Sequence, residues 1–206
     1  MRKIKIFDTT LRDGEQMAGV GMNIADKVRV AGVLAKLRVD FIEAGFPASS
    51  VNDRKAVEHI SQLVTGCTVV ALARANREDI RIAAEALQKA PRKRIHVFIA
   101  ASDLHLEYKL RITREECLER IRDSVSYACS LVDEVQFAAE DASRADPEFL
   151  CLAYQTAVDA GACCINVPDT VGYSTPGEFG ELIAMLSRRV KAKDRPIDIG
   201  VHCHND

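Results

Sequence analysis

Short β-branched runs alternate with longer amphipathic stretches along the whole chain, and this alternation constrains the fold more than any other feature. The runs predict strands over residues 4–7, 41–43, 68–72, 95–99, 134–137, 164–167 and 197–201. The amphipathic stretches predict helices near residues 24–37, 51–64, 77–88, 113–131, 147–158 and 176–190. Because strands that alternate with helices form parallel sheets through right-handed crossovers, we predict an α/β fold.

Two of the predicted helices begin with a recognisable capping sequence. Thr113 with Glu116, and Thr175 with Glu178, fit the capping box, in which side chain and backbone exchange hydrogen bonds at a helix N-terminus. Pro176 follows Thr175 and suits the first helical position, where no N–H is needed. These signals place the starts of the fourth and sixth helices.

Two architectures fit the alternation: a doubly wound open sheet and an eight-stranded barrel. A doubly wound nucleotide-binding sheet would carry a glycine-rich turn after its first strand, and residues 12–16 lack the G-x-G-x-x-G spacing. We therefore favour a (β/α)8-type barrel, incomplete with about seven of its eight strands. Because no linker-like segment divides the chain, residues 1–206 are predicted to form one domain.

Composition narrows the class of protein. The chain is 48% hydrophobic and 28% charged with a net charge of −2, which gives no electrostatic reason to expect nucleic acid or a membrane as partner. No apolar run approaches the roughly 20 residues that cross a bilayer. Seven cysteines without a CxxC pair indicate reduced thiols and a cytoplasmic protein.

The last predicted strand ends in a candidate metal site. His202 and His204 stand two residues apart, so both side chains point to the same face of a strand. Asp13, after the first strand, offers a third ligand that a barrel would bring close. Two imidazoles and one carboxylate leave open positions and suit Zn, Mn, Fe or Co, and Mg where a substrate supplies oxygens. The alternative is that one histidine is a buried hydrogen-bonding group.

Further polar residues lie at or near the carboxyl ends of the predicted strands. Arg12 can stabilise an oxyanion, or pair with a neighbouring carboxylate. Glu140 follows the fifth strand, where it either acts in the site or pairs with Arg144. His96 lies within the fourth strand and is either a pocket residue or a histidine bonded to the backbone. Thr170 is a donor suited to a carboxylate, or a plain turn residue. Together they indicate a metal-dependent enzyme that acts on a small anionic substrate, with enolate carbon–carbon chemistry as one plausible reaction.

Six segments, in order along the whole chain, resemble blocks of the α-isopropylmalate and homocitrate synthase family, which belongs to the DRE-TIM metallolyases. The sequence Phe-Asp-Thr-Thr-Leu-Arg-Asp-Gly-Glu-Gln at 7–16, with Lys27, is similar to the first family signature. Val-His-Cys-His-Asn-Asp at 201–206 is similar to the start of the second. The other blocks are 43–47, 71–75, 140–144 and 168–173.

Segment 94–105 is most similar to the 2-isopropylmalate synthase branch of that family. The resemblance implies a TIM barrel and a Claisen condensation of acetyl-CoA with 2-oxoisovalerate. The implied product is 2-isopropylmalate, the first committed intermediate of leucine biosynthesis, released after the thioester is hydrolysed. It also implies a divalent metal, Mn, Mg, Zn or Co, with Mn or Mg favoured, and acetyl-CoA as co-substrate.

The resemblance also implies a role for each site residue. The implied metal ligands are Asp13, His202 and His204. The residues implied to bind the 2-oxo acid are Arg12, His96, Glu140 and Thr170. Among these, Arg12 and Glu140 would be catalytic, with Arg12 stabilising the alkoxide and Thr170 binding the carboxylate. Gln16 would support the metal ligands.

Two departures from the family are visible. Many relatives carry a serine at the position of Ala138, and its absence removes one hydrogen bond worth about 1 kcal/mol. Members of the family also continue beyond the position of Asp206 with an eighth strand, a helical subdomain and contacts in a homodimer. We therefore expect a truncated chain with an open or partner-completed barrel, weak metal binding and little or no turnover.

Three alternatives to the 2-isopropylmalate synthase interpretation stay open. The first is a homocitrate or citramalate synthase, which differs in its 2-oxo acid. The second is an HMG-CoA lyase, which shares the barrel and metal site but cleaves its substrate; block 140–144 argues against it. The third is an inactive half-barrel that binds a metal or a partner chain.

Overall fold

The computed structural model describes residues 3–204, and its strands are hydrogen-bonded to one another in chain order. The strands are β1 Phe7–Asp8, β2 Phe41–Gly45, β3 Thr68–Arg74, β4 Lys93–Ala100, β5 Glu134–Glu140, β6 Cys164–Asp169 and β7 Asp198–Cys203. The helices are α1 Ile24–Lys36, α2 Val51–Leu63, α3 Arg77–Ala86, α4 Arg114–Cys129, α5 Pro147–Asp159 and α6 Pro176–Arg189. The predicted α/β barrel-type fold is confirmed, with seven strands in the part of the chain that the structure describes.

The described chain divides into two compact units. The first comprises residues 3–73, 77–96 and 131–133, and holds β1 to β3, α1 to α3 and the first half of β4. The second comprises residues 74–76, 97–130 and 134–204, and holds the rest of β4, α4 to α6 and β5 to β7.

The first unit has its core between the parallel strands β1 to β3 and the helices α1 to α3. Every residue of β2 is buried, and so is every residue of β3 except the last. Side chains from both layers fill the core, among them Ile42, Val70, Val57, Ile60 and Ile80. Continuous burial explains why β2 and β3 read as apolar runs rather than alternating patterns, as is usual for parallel strands covered by helices.

The second unit is organised around Tyr154 of α5. Its ring lies edge-on to Phe137 of β5 at a centroid distance of 5.9 Å, and its hydroxyl donates to the Asn166 carbonyl at 2.8 Å. Burial raises the pKa of Tyr154, so the hydroxyl stays protonated and serves only as a donor to β6. This contact ties the helix layer to the strand that carries Asp169 and Thr170 at its end.

Some predicted boundaries were wrong. Strand β1 is limited to Phe7–Asp8, because the Ile6 N–H donates at 2.9 Å to the side chain of Asp40 rather than to a neighbouring strand. Strand β7 extends to Cys203, because its parallel ladder with β6 continues to the pairs Pro168–His202 and Asp169–Cys203. His202 therefore lies inside a hydrogen-bonded strand, and His204 follows directly after it. Asn205 and Asp206 of the second motif lie outside the described residues.

Candidate active site

A buried carboxylate in the first unit joins two of the predicted site residues. Glu43 of β2 is fully buried, and its Oε2 accepts a hydrogen bond from Arg12 Nε at 2.6 Å. Its other oxygen, Oε1, lies 2.6 Å from Nδ1 of His96 in β4. Arg12 also donates from Nη1 to Asp13 at 2.8 Å. Glu43 thus holds Arg12 and His96 in one network, with Asp13 attached through Arg12.

The charge state of Glu43 follows from this network. Burial raises the pKa of a carboxyl group, but the charges of Arg12 and His96 and the hydrogen bonds to both outweigh it and lower the pKa of Glu43 to about 2. Glu43 is therefore an anion at neutral pH. An ionised Glu43 requires that Nδ1 of His96 carries a proton, which leaves Nε2 as the other functional atom of the ring.

Nε2 of His96 is a buried polar atom with no hydrogen-bond partner among the described residues. His96 is only 3% exposed, so bulk water does not reach the ring freely. A buried unpaired group of this kind costs about 1–3 kcal/mol and often marks a place where a ligand binds. The alternative that His96 is bonded to the backbone is wrong, since its partner is Glu43.

The loop after β1 is shaped by one carbonyl. The backbone N–H groups of Arg12, Asp13 and Gly14 all donate to the carbonyl of Thr9, at 3.0, 2.9 and 3.1 Å. This tight turn holds the side chains of Arg12 and Asp13 next to each other. Gln16 ends a short 3-10 turn over Gly14–Gln16 and is exposed.

A buried ion cluster fixes the same loop to α1 and α2. Lys27 is 4% exposed; its Nζ donates to Asp53 Oδ1 and forms an ion pair with Glu15 at 2.5 Å. Burial lowers the pKa of Lys27, but the two carboxylates outweigh it and raise the pKa overall. Asp53 in turn accepts the Phe46 N–H at 2.6 Å. Lys27, noted with the first motif, therefore holds this loop to α1 and α2. A cavity of about 520 Å³ adjoins Lys27, and none of the predicted site residues lines it.

In the second unit, Glu140 ends β5 and faces two basic side chains. Its Oε1 lies 2.5 Å from Lys109 Nζ and 3.3 Å from Nδ1 of His105. The alternative pairing with Arg144 is wrong, because the Nε of Arg144 donates to Asp141 at 2.8 Å. The His105 side chain is only 22% exposed.

Thr170 is held by the neighbouring strand end. Its Oγ1 accepts the Asp141 backbone N–H at 2.9 Å, which leaves the hydroxyl proton of Thr170 for another acceptor. Asp141 is fully buried in a left-handed conformation, with φ of 66°, and accepts hydrogen bonds from Ser102 and Arg144. Asp141 therefore fixes the position of Thr170.

His202 of β7 and His204, directly after the strand, lie as the two-residue spacing predicts. The rings of His202 and His204 stack in parallel, with a centroid distance of 4.4 Å and an interplanar angle of 9°. Both are partly buried, whereas Cys203 between them is exposed on the other side of the chain. Two imidazoles therefore lie side by side on one face of the strand.

Several residues of these networks were not among the predicted site residues, notably Glu43, Asp141, His105 and Lys109. The signal for Glu43 was a single carboxylate inside an otherwise apolar strand, because a buried charge needs partners. Lys109 and His105 gave no comparable signal, since their segment reads as ordinary polar surface. The charged segment 91–94 is typical of an exposed loop, and Pro91 and Arg92 are indeed exposed. Arg94, however, is buried in β4 with its guanidinium 4.1 Å from the centroid of the Phe41 ring.

Residues 3–206 match the HMGL-like family. The chain is 52% identical over 206 residues to 2-isopropylmalate synthase 1 of Caldanaerobacter subterraneus subsp. tengcongensis, with 100% of this chain and 52% of that protein covered. It is 53% identical over 205 residues to the 2-isopropylmalate synthase of Pyrococcus furiosus, with 100% and 41% covered. The chain thus spans about half or less of the length of these curated relatives.

Solved structures with the same fold are more distant in sequence. The hydroxymethylglutaryl-CoA lyase of Pseudomonas aeruginosa superposes with a TM-score of 0.76 at 24% identity, over 91% of this chain and 65% of that one. The HMG-CoA lyase of Bacillus subtilis gives a TM-score of 0.78 at 19% identity, over 98% and 69%. Within the described residues, no helix is long and apolar enough to span a membrane.

Proposed function

Because the chain belongs to the HMGL-like family, we propose that it carries the keto-acid and metal site of a 2-isopropylmalate synthase. The observation that carries this proposal is the identity of about 52% to curated 2-isopropylmalate synthases, which extends over the whole chain. The reaction is the condensation of acetyl-CoA with 2-oxoisovalerate, followed by hydrolysis of the thioester. We further propose that the reaction takes place in the cytoplasm and that the enzyme is a homodimer.

The proposed metal ligands are Asp13, His202 and His204. They offer one carboxylate oxygen and two imidazole nitrogens, a donor set that suits Mn and also Mg when a substrate adds oxygens. The parallel stacking of the His202 and His204 rings supports this assignment. A divalent ion bound here would act as a Lewis acid toward the keto group. Gln16 is proposed to support the ligands from the neighbouring loop.

The proposed 2-oxo acid pocket uses groups whose hydrogen-bonding capacity is not exhausted. His96 presents the unpartnered Nε2, which a polar atom of the substrate would satisfy. Thr170 retains its hydroxyl proton, which suits a substrate carboxylate. Glu140, at the end of β5, is proposed to line the same pocket.

Arg12 is proposed to stabilise negative charge on the oxygen that becomes the alkoxide. A fixed guanidinium is effective in this role because it needs no reorganisation when the charge develops. Glu43 provides the fixation, through its 2.6 Å contact with Nε. The catalytic residues in this proposal are Arg12 and Glu140.

Binding and turnover both test the proposal. Calorimetric titration with 2-oxoisovalerate, pyruvate and 2-oxoglutarate in the presence of Mn should show preferential, metal-dependent binding of 2-oxoisovalerate. Mass spectrometry should then detect metal-dependent 2-isopropylmalate from acetyl-CoA and 2-oxoisovalerate. The variant Asp13→Asn should abolish both the metal-dependent binding of 2-oxoisovalerate and the formation of 2-isopropylmalate.

Other results would replace the proposal. Preferential binding of 2-oxoglutarate or pyruvate would identify a homocitrate or a citramalate synthase. Cleavage of HMG-CoA without condensation would identify a lyase, the activity named for the solved structures of the same fold. Metal binding without any 2-oxo acid binding would leave only a metal-binding half-barrel.

A further inference from the structure

The segment after β4 has an unusual backbone. Residues His105–Leu110 form a π-helical turn that ends at Arg111 in a left-handed conformation, with φ of 54°. π-turns are rare and frequently occur at functional sites, and a left-handed non-glycine residue has a conformational cost. Of the turn's residues only Leu106 is buried. Packing of apolar side chains alone therefore does not account for this turn.

The turn is fixed at both of its ends. On one side Ser102 donates to Asp141 at 2.5 Å and lies next to Asp103. Asp103 accepts two hydrogen bonds from Arg114 at the start of α4, at 2.9 and 2.7 Å. On the other side the Ile112 N–H donates to the Leu106 carbonyl at 3.1 Å. These anchors define where the side chains of the turn lie.

Two side chains of the turn converge on one oxygen of Glu140. Lys109 Nζ lies 2.5 Å from Oε1, and His105 Nδ1 lies 3.3 Å from the same atom. Lys109 is about half exposed, whereas the Glu140 side chain is only 19% exposed. The Lys109 ammonium group therefore lies between the Glu140 carboxylate and the solvent. Both Lys109 and His105 contact Oε1 of Glu140, and neither contacts Oε2.

We infer that Lys109 is a positioning residue for Glu140. It fixes the direction of the carboxylate and offsets its negative charge, which would otherwise repel an anionic 2-oxo acid in the same pocket. This inference rests on the proposed function, since it assigns Lys109 a part in the binding of that substrate.

Chemical labelling tests the contact between Lys109 and Glu140 without a measurement of enzyme activity. Under limiting acetylation read by mass spectrometry, Lys109 should react more slowly than exposed lysines such as Lys193, because its Nζ is held by Glu140. In Glu140→Gln its labelling rate should rise severalfold. Glu107→Gln is the matched control, because it removes a negative charge from the same turn; it should leave the rate unchanged. Equal Lys109 labelling rates in the parent and Glu140→Gln would overturn the inference.

Ligand binding tests the role. In Lys109→Met, the Kd of 2-oxoisovalerate measured with Mn present should rise about tenfold, the size expected for one charge-assisted hydrogen bond. Lys109→Arg should restore most of the affinity, and Lys193→Met should match the parent. The affinity for Mn alone should not change, which separates positioning of Glu140 from general damage to the fold.

The two proposals fail in different ways. A parent chain that binds neither 2-oxoisovalerate nor another 2-oxo acid overturns the proposed function, and the positioning role with it. A parent chain that binds 2-oxoisovalerate while Lys109→Met binds it equally well overturns only the role of Lys109.

Discussion

At the scale of single residues, Glu43 has the largest influence on the candidate site. It is fully buried and yet ionised, because Arg12 and His96 together offset the cost of removing its charge from water. Removing one member of such a network leaves another charge buried without its partner, which usually costs several kcal/mol. The orientation of Arg12 and His96 is therefore coupled to the stability of the first unit.

The network of Glu43 with Arg12 and His96 predicts how the unfolding free energy depends on pH. The pKa of Glu43 is about 2 in the folded chain and near 4.5 when unfolded, so the ionised carboxylate stabilises the fold fully above pH 4.5. Its contribution, of order 3 kcal/mol, is lost as the pH falls from 4.5 toward 2. Urea unfolding of the parent and of Glu43→Gln should show a difference in unfolding free energy that shrinks over this range. A difference in unfolding free energy that stays constant from pH 4.5 to 2 would contradict a stabilising, ionised Glu43.

At the scale of elements, local sequence signals correctly placed the helix starts. Thr113 accepts the Glu116 N–H at 3.2 Å, and the Glu116 side chain accepts the Thr113 N–H at 2.8 Å, as the capping box requires. The box at Thr175 and Glu178 is also formed. Both signals act within one helical turn and need no tertiary partner. Strand ends were less predictable, because ladders such as that between β6 and β7 depend on the neighbouring strand.

Removal of a cap should lower stability by a modest amount. Thr113→Ala loses one side-chain acceptor at the start of α4, with an expected cost of about 1 kcal/mol in unfolding free energy. Thr65→Ala changes an exposed threonine outside any helix and should be neutral. Thermal and urea unfolding of the two variants would measure the difference, and equal stabilities would show that the cap contributes nothing.

At the scale of the whole molecule, the proposed site draws on both ends of the described chain. Asp13 lies near the beginning of the described residues, and His202 and His204 lie at their end. A metal that binds only the folded chain stabilises it by mass action, by about 2.7 kcal/mol when its concentration is a hundred times the Kd. The proposed metal is therefore expected to contribute to folding as well as to chemistry.

Metal addition and removal would test this expectation. Mn at a large excess should raise the unfolding temperature by about 5 °C or more, and a chelator should reverse the shift. His204→Ala and Asp13→Asn should each lose most of the shift, whereas Asp133→Asn, at an exposed position, should keep it. A shift that persists in both ligand variants would place the metal elsewhere.

Sequence patterns were sufficient for the fold class, the helix starts and the paired histidines. Each of these depends on spacing along the chain: the βα alternation, the four-residue capping box and the two-residue repeat of β7. A family resemblance added the proposed roles of the remaining site residues.

Tertiary structure alone decided how those residues are held. The partner of His96 is Glu43, 53 positions earlier in the chain, and the partner of Glu140 is Lys109, 31 positions earlier. Neither pairing follows from local spacing, because several carboxylates and bases could have met at the strand ends. The packing that places β2 near β4 selects Glu43 for His96, and the packing of the turn after β4 against β5 selects Lys109 for Glu140. A buried charge is stable only beside the partner that such packing supplies.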